Sequence, residues 1–600
     1  MKKIYLLSLG LVAALTFSSC NDFLDSENYT GKDTSNFPMT EEDVDQMVSS
    51  VYKACFYEPW QNDNGNSAEK YYAFSNMASD DMYGGGGQND LSTQALDHLL
   101  YQTDNQMEQY WAACYSAISR ANSALAAVDN IADEEKRNQT KGELLFLRAF
   151  TYFDLAKCFG NVPLMDAAPN SVEEAQKSPE QKKPEEVFKK VASDLYIATK
   201  IMPAYKYDGW TTLKFGQVSR WAAETLLARV FLYYTGFFGA SSLPMTETEE
   251  YPDVTEVTKD YVVGCLEDII NNSGHDLLAD YRSLWPYANE ETKKDYSFVS
   301  DLGEAWSEGN KEAIFSINYA YRGEWDSQLH MTNQYALFFG GPRFNDIDDT
   351  KFNLGADDSV YPFGGGWGCG PVTPNLVSDW KAAEPNDPRF DASILTLPDN
   401  YNYAGDHNDN WMENTGYLQK KMGSVRSNGG NVKTGDGYYS FCAQISWGGA
   451  GATTGHYQAS HAQALVLLRY ADVLLMHSEL TGTADGMNKV RARVGLPAVG
   501  YSLTALQNER RWELAFEGVR WDDIRRWGIA PECLAKQVGG KINNAGTWTT
   551  MKDQGDGYVA RYNATKGYYK IPANQVALSN GELKQNAGWE GTTGYYGSWK

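Results

Sequence analysis

Apolar residues recur at helical spacing through the first half of the chain. In EEDVDQMVSSVYKACF the acids follow Thr40, a good N-cap residue. MEQYWAACYSAISRANSALAAVDN sets Trp111, Cys114, Tyr115, Ile118, Ala121 and Leu125 on one stripe. KGELLFLRAFTYFDLAKCFG does the same with Leu144, Leu147, Phe150, Tyr152 and Leu155, and stops at Gly160 as a helix should. PEEVFKKVASDLYIATKIM carries Pro184 near its first turn; VSRWAAETLLARVFLYYTG and KDYVVGCLEDIINNSG follow. Consecutive amphipathic helices predict a mainly α fold of stacked helical pairs over residues 41–280, as in an α-solenoid. The spacing is irregular, and no named repeat is legible in it.

The pattern changes between residues 281 and 460. Helical periodicity fades, and Gly, Asn, Asp and Trp rise in stretches such as YPFGGGWGCGPVTPN and AGDHNDNWMENTGY. One strand is predicted at EAIFSINYAY, where Ile314, Ser316 and Asn318 alternate with Phe315, Ile317 and Tyr319. Long irregular segments in a compact domain are functional or disordered, and the ring content here argues against disorder. Helices are expected again over residues 461–600, at HAQALVLLRYADVLLMHSELTG, ADGMNKVRARVGL and ERRWELAFEGVRWDDIRRWG; GYYKIPANQVALSNGELKQNAGW is expected to be loop-like.

The N-terminus sets the compartment. Lys2 and Lys3 precede a short apolar run that is too brief for a membrane span of ~20 residues. The run ends at Ser18, Ser19 and Cys20, the junction of a bacterial lipoprotein signal. Residues 1–19 are therefore read as a signal peptide, Cys20 as the lipidated residue, and 20–40 as a polar tether. A formal net charge of −26 argues against nucleic acid and anionic membrane as electrostatic partners. The cysteines include no CxxC pair, so neither a zinc knuckle nor a thioredoxin-type site is indicated. Tyrosine outnumbers phenylalanine, 39 to 24, which leans toward rings with one wet edge, as at interfaces and sugar platforms.

Motifs of covalent chemistry are absent: no HExxH, no GxSxG elbow and no phosphate loop occur. DHNDNWMENTGY alternates Asp406, Asn408 and Asn410 like a calcium loop, but Trp411 replaces the turn glycine and Tyr417 the closing glutamate. No metal or other cofactor is expected. Glutamates recur at Glu509, Glu513 and Glu517, and the last two could meet the spacing of a glycosidase pair. Read as one helix, however, each has an arginine within reach, which would hold both carboxyls ionised instead of raising one as an acid. The stretch is expected to be scaffold.

SCNDFLD, LLFLRAFTYFDLAKCFGNVPL, LRYADVLLMHSEL, NKVRARVGL, ERRWELAFEGVRWDDIRRWG and IPANQVALSNGELKQNAGW occur in that order between Cys20 and Trp589. Together they resemble the SusD/RagB family of outer-membrane nutrient-binding lipoproteins of Bacteroidetes. The resemblance implies a tetratricopeptide-like scaffold with a loop-rich insert, anchored by lipid at the cell surface. It implies capture of oligosaccharides, or of peptides in some members, for delivery to a SusC-like TonB-dependent transporter, without catalysis. A surface glycoside hydrolase and a purely structural lid are the alternatives from other classes.

Ligand residues are sought where rings and hydrogen-bonding groups cluster in loops. Asp80, Asp81 and Tyr83, in SNMASDDMYGGGG, resemble the family's first ligand-proximal loop, with Tyr101 and Asn105 expected nearby. The insert supplies Tyr321, Arg322, Trp325, Trp367 and Trp411, whose tryptophans can equally be loop core. Trp111, Trp221, Trp512 and Trp521 are expected in the scaffold.

Overall fold

Thr40 caps the first helix as its sequence predicts: its hydroxyl accepts from the Asp43 N–H, while the Asp43 carboxylate accepts from the Thr40 N–H. In a computed structural model the chain is described over residues 37–56, 71–85, 90–101, 105–169, 171, 180–290, 292–319, 332–340, 363–364, 368–397, 415–425, 461, 463–544, 547–591 and 594–597. The N-terminal half holds α1 (Glu41–Phe56), α2 (Tyr71–Ala78), α3 (Leu91–Asp97), α4 (Asn105–Ala127), α5 (Glu134–Phe159), α6 (Pro184–Ile201), α7 (Arg220–Phe238) and α8 (Lys259–Asn272). Asp133, Ser219 and Thr258 cap α5, α7 and α8 with side-chain oxygens, and Gly160 and Gly239 end α5 and α7 at positive φ.

Each of α4 to α7 packs on the helix that follows it, and α1 lies against α4 and α5. The result is the mainly helical, tetratricopeptide-like scaffold of paired helices. Its apolar stripes meet in one large core, which takes in Trp111, Ile118, Leu144, Leu147, Tyr152, Leu155 and Trp221.

Later elements are shorter: α9 (Thr292–Asp295), α10 (Gln334–Phe339), α11 (Pro374–Ala383), α12 (Pro388–Ser393), α13 (Tyr470–Thr481), α14 (Asp485–Arg493), α15 (Leu503–Glu513), α16 (Arg520–Arg526), α17 (Ala530–Ala535), α18 (Tyr558–Thr565) and α19 (Ala573–Leu578). The described strands form two-stranded antiparallel pairs: β1 (Val162–Pro163) with β2 (Gln181–Lys182), β3 (Leu243–Pro244) with β4 (Glu256–Val257), β5 (Ala313–Ile317) with β10 (Leu465–Arg469), β6 (Phe363–Gly364) with β9 (Ser424–Val425), β7 (Ile394–Thr396) with β8 (Tyr417–Gln419), and β11 (Lys541–Asn544) with β12 (Thr547–Thr550).

Three expectations change. The strand at EAIFSINYAY exists, but all five residues of β5 are buried, so its alternation does not mark a wet face. LVLLR at 465–469 is its partner strand and not the start of a helix, which begins at Tyr470. Short apolar runs buried on both sides carry no period that separates strand from helix. The closing segment holds α19 where a loop was expected.

ERRWELAFEGVRWDDIRRWG is also two helices, α15 and α16, separated by a turn. Phe516 and Gly518 both have positive φ there, 67° and 75°. A Cβ at Gly518 would stand 2.8 Å from the Tyr72 ring, so glycine meets both the dihedral and the close approach. The turn docks on α2, where Tyr72 donates to the Phe516 carbonyl (2.9 Å) and Ser75 to that of Gly518 (2.9 Å).

Candidate functional site

The two helices α15 and α16 project buried charges, and their partners come from distant parts of the chain. Arg469 donates to Glu513 (2.7 Å), Glu517 (2.6 Å) and Glu312 (2.9 Å). Arg389 bridges Glu509 (2.5 Å) and Glu513 (3.0 Å), and Arg493 binds Glu312 and Glu513. Lys421 donates to Glu517 at 2.7 Å. The glutamates are thus not neutralised along their own helix. Arg510 turns to Asp472 and Asp523, and Arg520 to Asp80. Burial alone would raise the Glu513 carboxyl, but Arg493, Arg469 and Arg389 overcome it and hold it well below the ordinary range. Glu517 is lowered in the same way, against burial, by Arg469 and Lys421. Neither is kept protonated to serve as a general acid.

Asp80 and Asp81 belong to this framework, contrary to the ligand role expected of them. Each is 1% exposed. Asp80 accepts from Arg520 (2.7 and 2.9 Å) and pairs with Arg511 (3.0 Å), while Asp81 accepts from Arg511 (2.7 Å). Burial raises both carboxyls, but the two arginines carry Asp80 below its ordinary range; burial together with the Asp80 charge leaves Asp81 raised. Tyr83 is buried as well and donates to the Gln537 carbonyl at 3.0 Å. These side chains tie the loop down and offer a ligand no face.

Tyr101 is placed differently. The chain leaves α3 through Leu99, a buried residue with φ 50°, whose carbonyl accepts from Arg561 Nε at 3.1 Å. That left-handed turn costs about 1–2 kcal/mol, and burial with the arginine contact holds it. The Tyr101 carbonyl then accepts from Tyr596, and its ring meets Tyr595 edge-on, with centroids 5.8 Å apart and planes at 88°. Trp589 lies beneath at 6.3 Å, and Lys570 Nζ stands 4.0 Å from the Tyr101 centroid. Tyr595 is 60% exposed and Tyr101 half-buried, whereas Trp589 is buried. Nearby, Asn574 donates to Glu108 in the first turns of α4.

A small core of Tyr83, Ala95, Leu100, Ile542, Met551 and Tyr596 fixes this corner and roots the β11–β12 hairpin. The hairpin carries Trp548, which at 48% is the most exposed tryptophan among the described residues. The open Tyr595 ring, beside a half-buried Tyr101 whose face Lys570 covers, can stack on the C–H face of a sugar, and Lys570 can hydrogen-bond its hydroxyls. Asn105 opens α4 four residues beyond Tyr101. Tyr595, Lys570 and Trp548 were missed from sequence; the Gly-flanked pair in TTGYYGSW was the available signal.

Cys20, Tyr321, Arg322, Trp325, Trp367, Trp411 and the Asp406–Asn410 segment lie outside the described residues. Trp111, Trp221, Trp512 and Trp521 are buried in the scaffold, as expected. Among the described residues no group of acidic, histidine and cysteine side chains is arranged to hold a metal.

The scaffold is that of a helical-pair, tetratricopeptide-like fold. The chain belongs to the SusD/RagB family: a model of the SusD family matches residues 311–589, and one described as "Starch-binding associating with outer membrane" matches residues 22–232. It is 23% identical to SusD-like protein P38 of Formosa agariphila over 560 residues, 89% of this chain and 93% of that one. A SusD-like protein of Bacteroides ovatus is 23% identical over 322 residues, 52% of this chain; the chain spans about half (49%) of that relative's length. Among solved structures, surface glycan-binding protein A from Bacteroides thetaiotaomicron in complex with laminarihexaose superposes with a TM-score of 0.64 at 20% identity, covering 91% of this chain and 99% of that one.

Proposed function

We propose that this protein captures oligosaccharides at the cell surface and passes them to a SusC-like TonB-dependent outer-membrane transporter, held there by lipid on Cys20. The observation that carries this reading is the edge-on Tyr101–Tyr595 ring pair, with the Tyr595 ring open and Lys570 over the Tyr101 ring. Stacking and hydrogen bonding suffice for capture, and the protein does no covalent chemistry on its ligand. Tyr321, Arg322, Trp325, Trp367, Trp411 and Asn105 are further ligand contacts in this reading. The family match and the glycan complex of a structural neighbour support this assignment.

Affinity electrophoresis of the mature protein across a panel of neutral polysaccharides, laminarin included, tests it. Retardation by at least one glycan, with no new reducing ends after prolonged incubation, is the expected result. Reproducible release of reducing ends, or no retardation by any glycan, would overturn the proposal.

A further inference from the structure

A second cavity, of about 740 Å³, opens between α12, the start of β7 and the segment around residues 279–298. It lies within the ~300–1,000 Å³ of small-molecule sites, and Tyr101, Tyr595 and Trp548 do not line it. Tyr287 and Phe298 supply ring surface. Arg282, Arg389, Arg493 and Lys420 supply cations, but the three arginines are spent. The Arg282 guanidinium is taken by Asp280 and Asp301, Arg389 by Asp387, Glu509 and Glu513, and Arg493 by Glu312 and Glu513. Lys420 is not: its ammonium donates to the Asp391 main-chain carbonyl at 2.6 Å and stands 5.3 Å from the Phe363 centroid. Among the described residues no carboxylate forms an ion pair with it, and the Asp391 side chain is the nearest acid influence on it. A half-buried ammonium without a counter-ion is an unfavourable arrangement that a bound anion would relieve.

We infer that this cavity is a second binding site for a small carboxylate-bearing molecule, with the carboxylate on Lys420 and the body of the ligand against Tyr287 and Phe298. Both an acidic sugar and the free C-terminus of a short peptide carry that chemistry. The site does not depend on neutral-glycan capture at Tyr101. Burial pushes the Lys420 ammonium down to about 8, which leaves it charged at neutral pH.

Calorimetric titration of the mature protein tests the assignment with two pairs of probes. The first pair is a disaccharide ending in glucuronic acid and its glucose counterpart; the second is a tripeptide with a free carboxyl and its amide. In at least one pair the acid should bind about ten-fold tighter than its neutral analogue, and the pair that responds names the source. Lys420→Gln should abolish that preference, Lys420→Arg should retain it, and Asp391→Asn should strengthen it by removing a competing charge. Tyr101→Ala should leave it unchanged, so that failure here is separable from failure of glycan capture. Equal affinity for acid and neutral probes, no binding of either acid at millimolar concentration, or a preference that survives in a folded Lys420→Gln variant would overturn the inference.

Discussion

Arg469 grips Glu513 twice, once at the carboxylate (2.7 Å) and once at the main-chain carbonyl that ends α15 (2.8 Å). One guanidinium thereby fixes both the charge and the backbone of the helix end, and joins β10 to α15. Removing one partner of a buried, hydrogen-bonded pair leaves the other charge uncompensated. Glu513→Gln should therefore lower unfolding stability by about 3–5 kcal/mol, read as a lower denaturant midpoint. Unchanged stability would show that the network is not structural.

Asp80 tests the division between scaffold and site. It is bound by two arginines inside the protein, so Asp80→Asn should cost stability on the same scale, about 3–5 kcal/mol. The folded fraction should keep its glycan affinity. A variant of normal stability with weakened glycan binding would restore Asp80 to the ligand site.

Arg525 is buried without a carboxylate partner among the described residues. Tyr233, Phe237, Trp521 and Tyr568 surround its guanidinium at 5.1–5.7 Å, and it donates to the carbonyls of Lys157 and Lys566. Planarity lets arginine stack on rings while reaching two carbonyls, which a lysine ammonium does not reproduce. Arg525→Lys is expected to destabilise by about 2 kcal/mol in thermal unfolding.

Three buried histidines set a pH dependence. Burial lowers His98, stacked on Tyr558, His275, bonded to the Lys311 carbonyl, and His461 to about 4 from an ordinary 6.5. Above 6.5 all three rings are neutral folded or unfolded, and their contribution is whole. As pH falls from 6.5 to 4 the unfolded chain takes up protons that the fold refuses, and stability drops by about 3 kcal/mol per ring. The carboxylates of Glu513, Glu517 and Asp472, whose pKa values are depressed, lose their contribution only below their ordinary values near 4. Denaturant unfolding between pH 7 and 4 should show the first loss, and Phe replacing all three histidines should flatten it in that interval.

The long helices of the first half were legible from their apolar spacing and end signals; Thr40, Gly160 and Pro184 marked ends that the structure keeps. The β5–β10 pair was half legible, since LVLLR is buried among core elements and carries no period. The charged stretch was identified as scaffold for a partly mistaken reason: its glutamates find arginines 18 to 124 residues away, not along one helix. Such pairings depend on tertiary placement, which spacing along a chain does not encode. The same applies to Tyr101 and Tyr595, which nearly 500 residues separate and one β-bridge joins.

The most direct test of glycan capture is calorimetry on the mature protein with neutral oligosaccharides, laminarihexaose first, comparing wild type with Tyr101→Ala, Tyr595→Ala and the double variant. Stacking on one ring contributes about 1–1.5 kcal/mol, so each single change should weaken binding about ten-fold, and the double variant should bind no glycan measurably while unfolding at the wild-type midpoint. Wild-type affinity in a folded double variant would contradict the account.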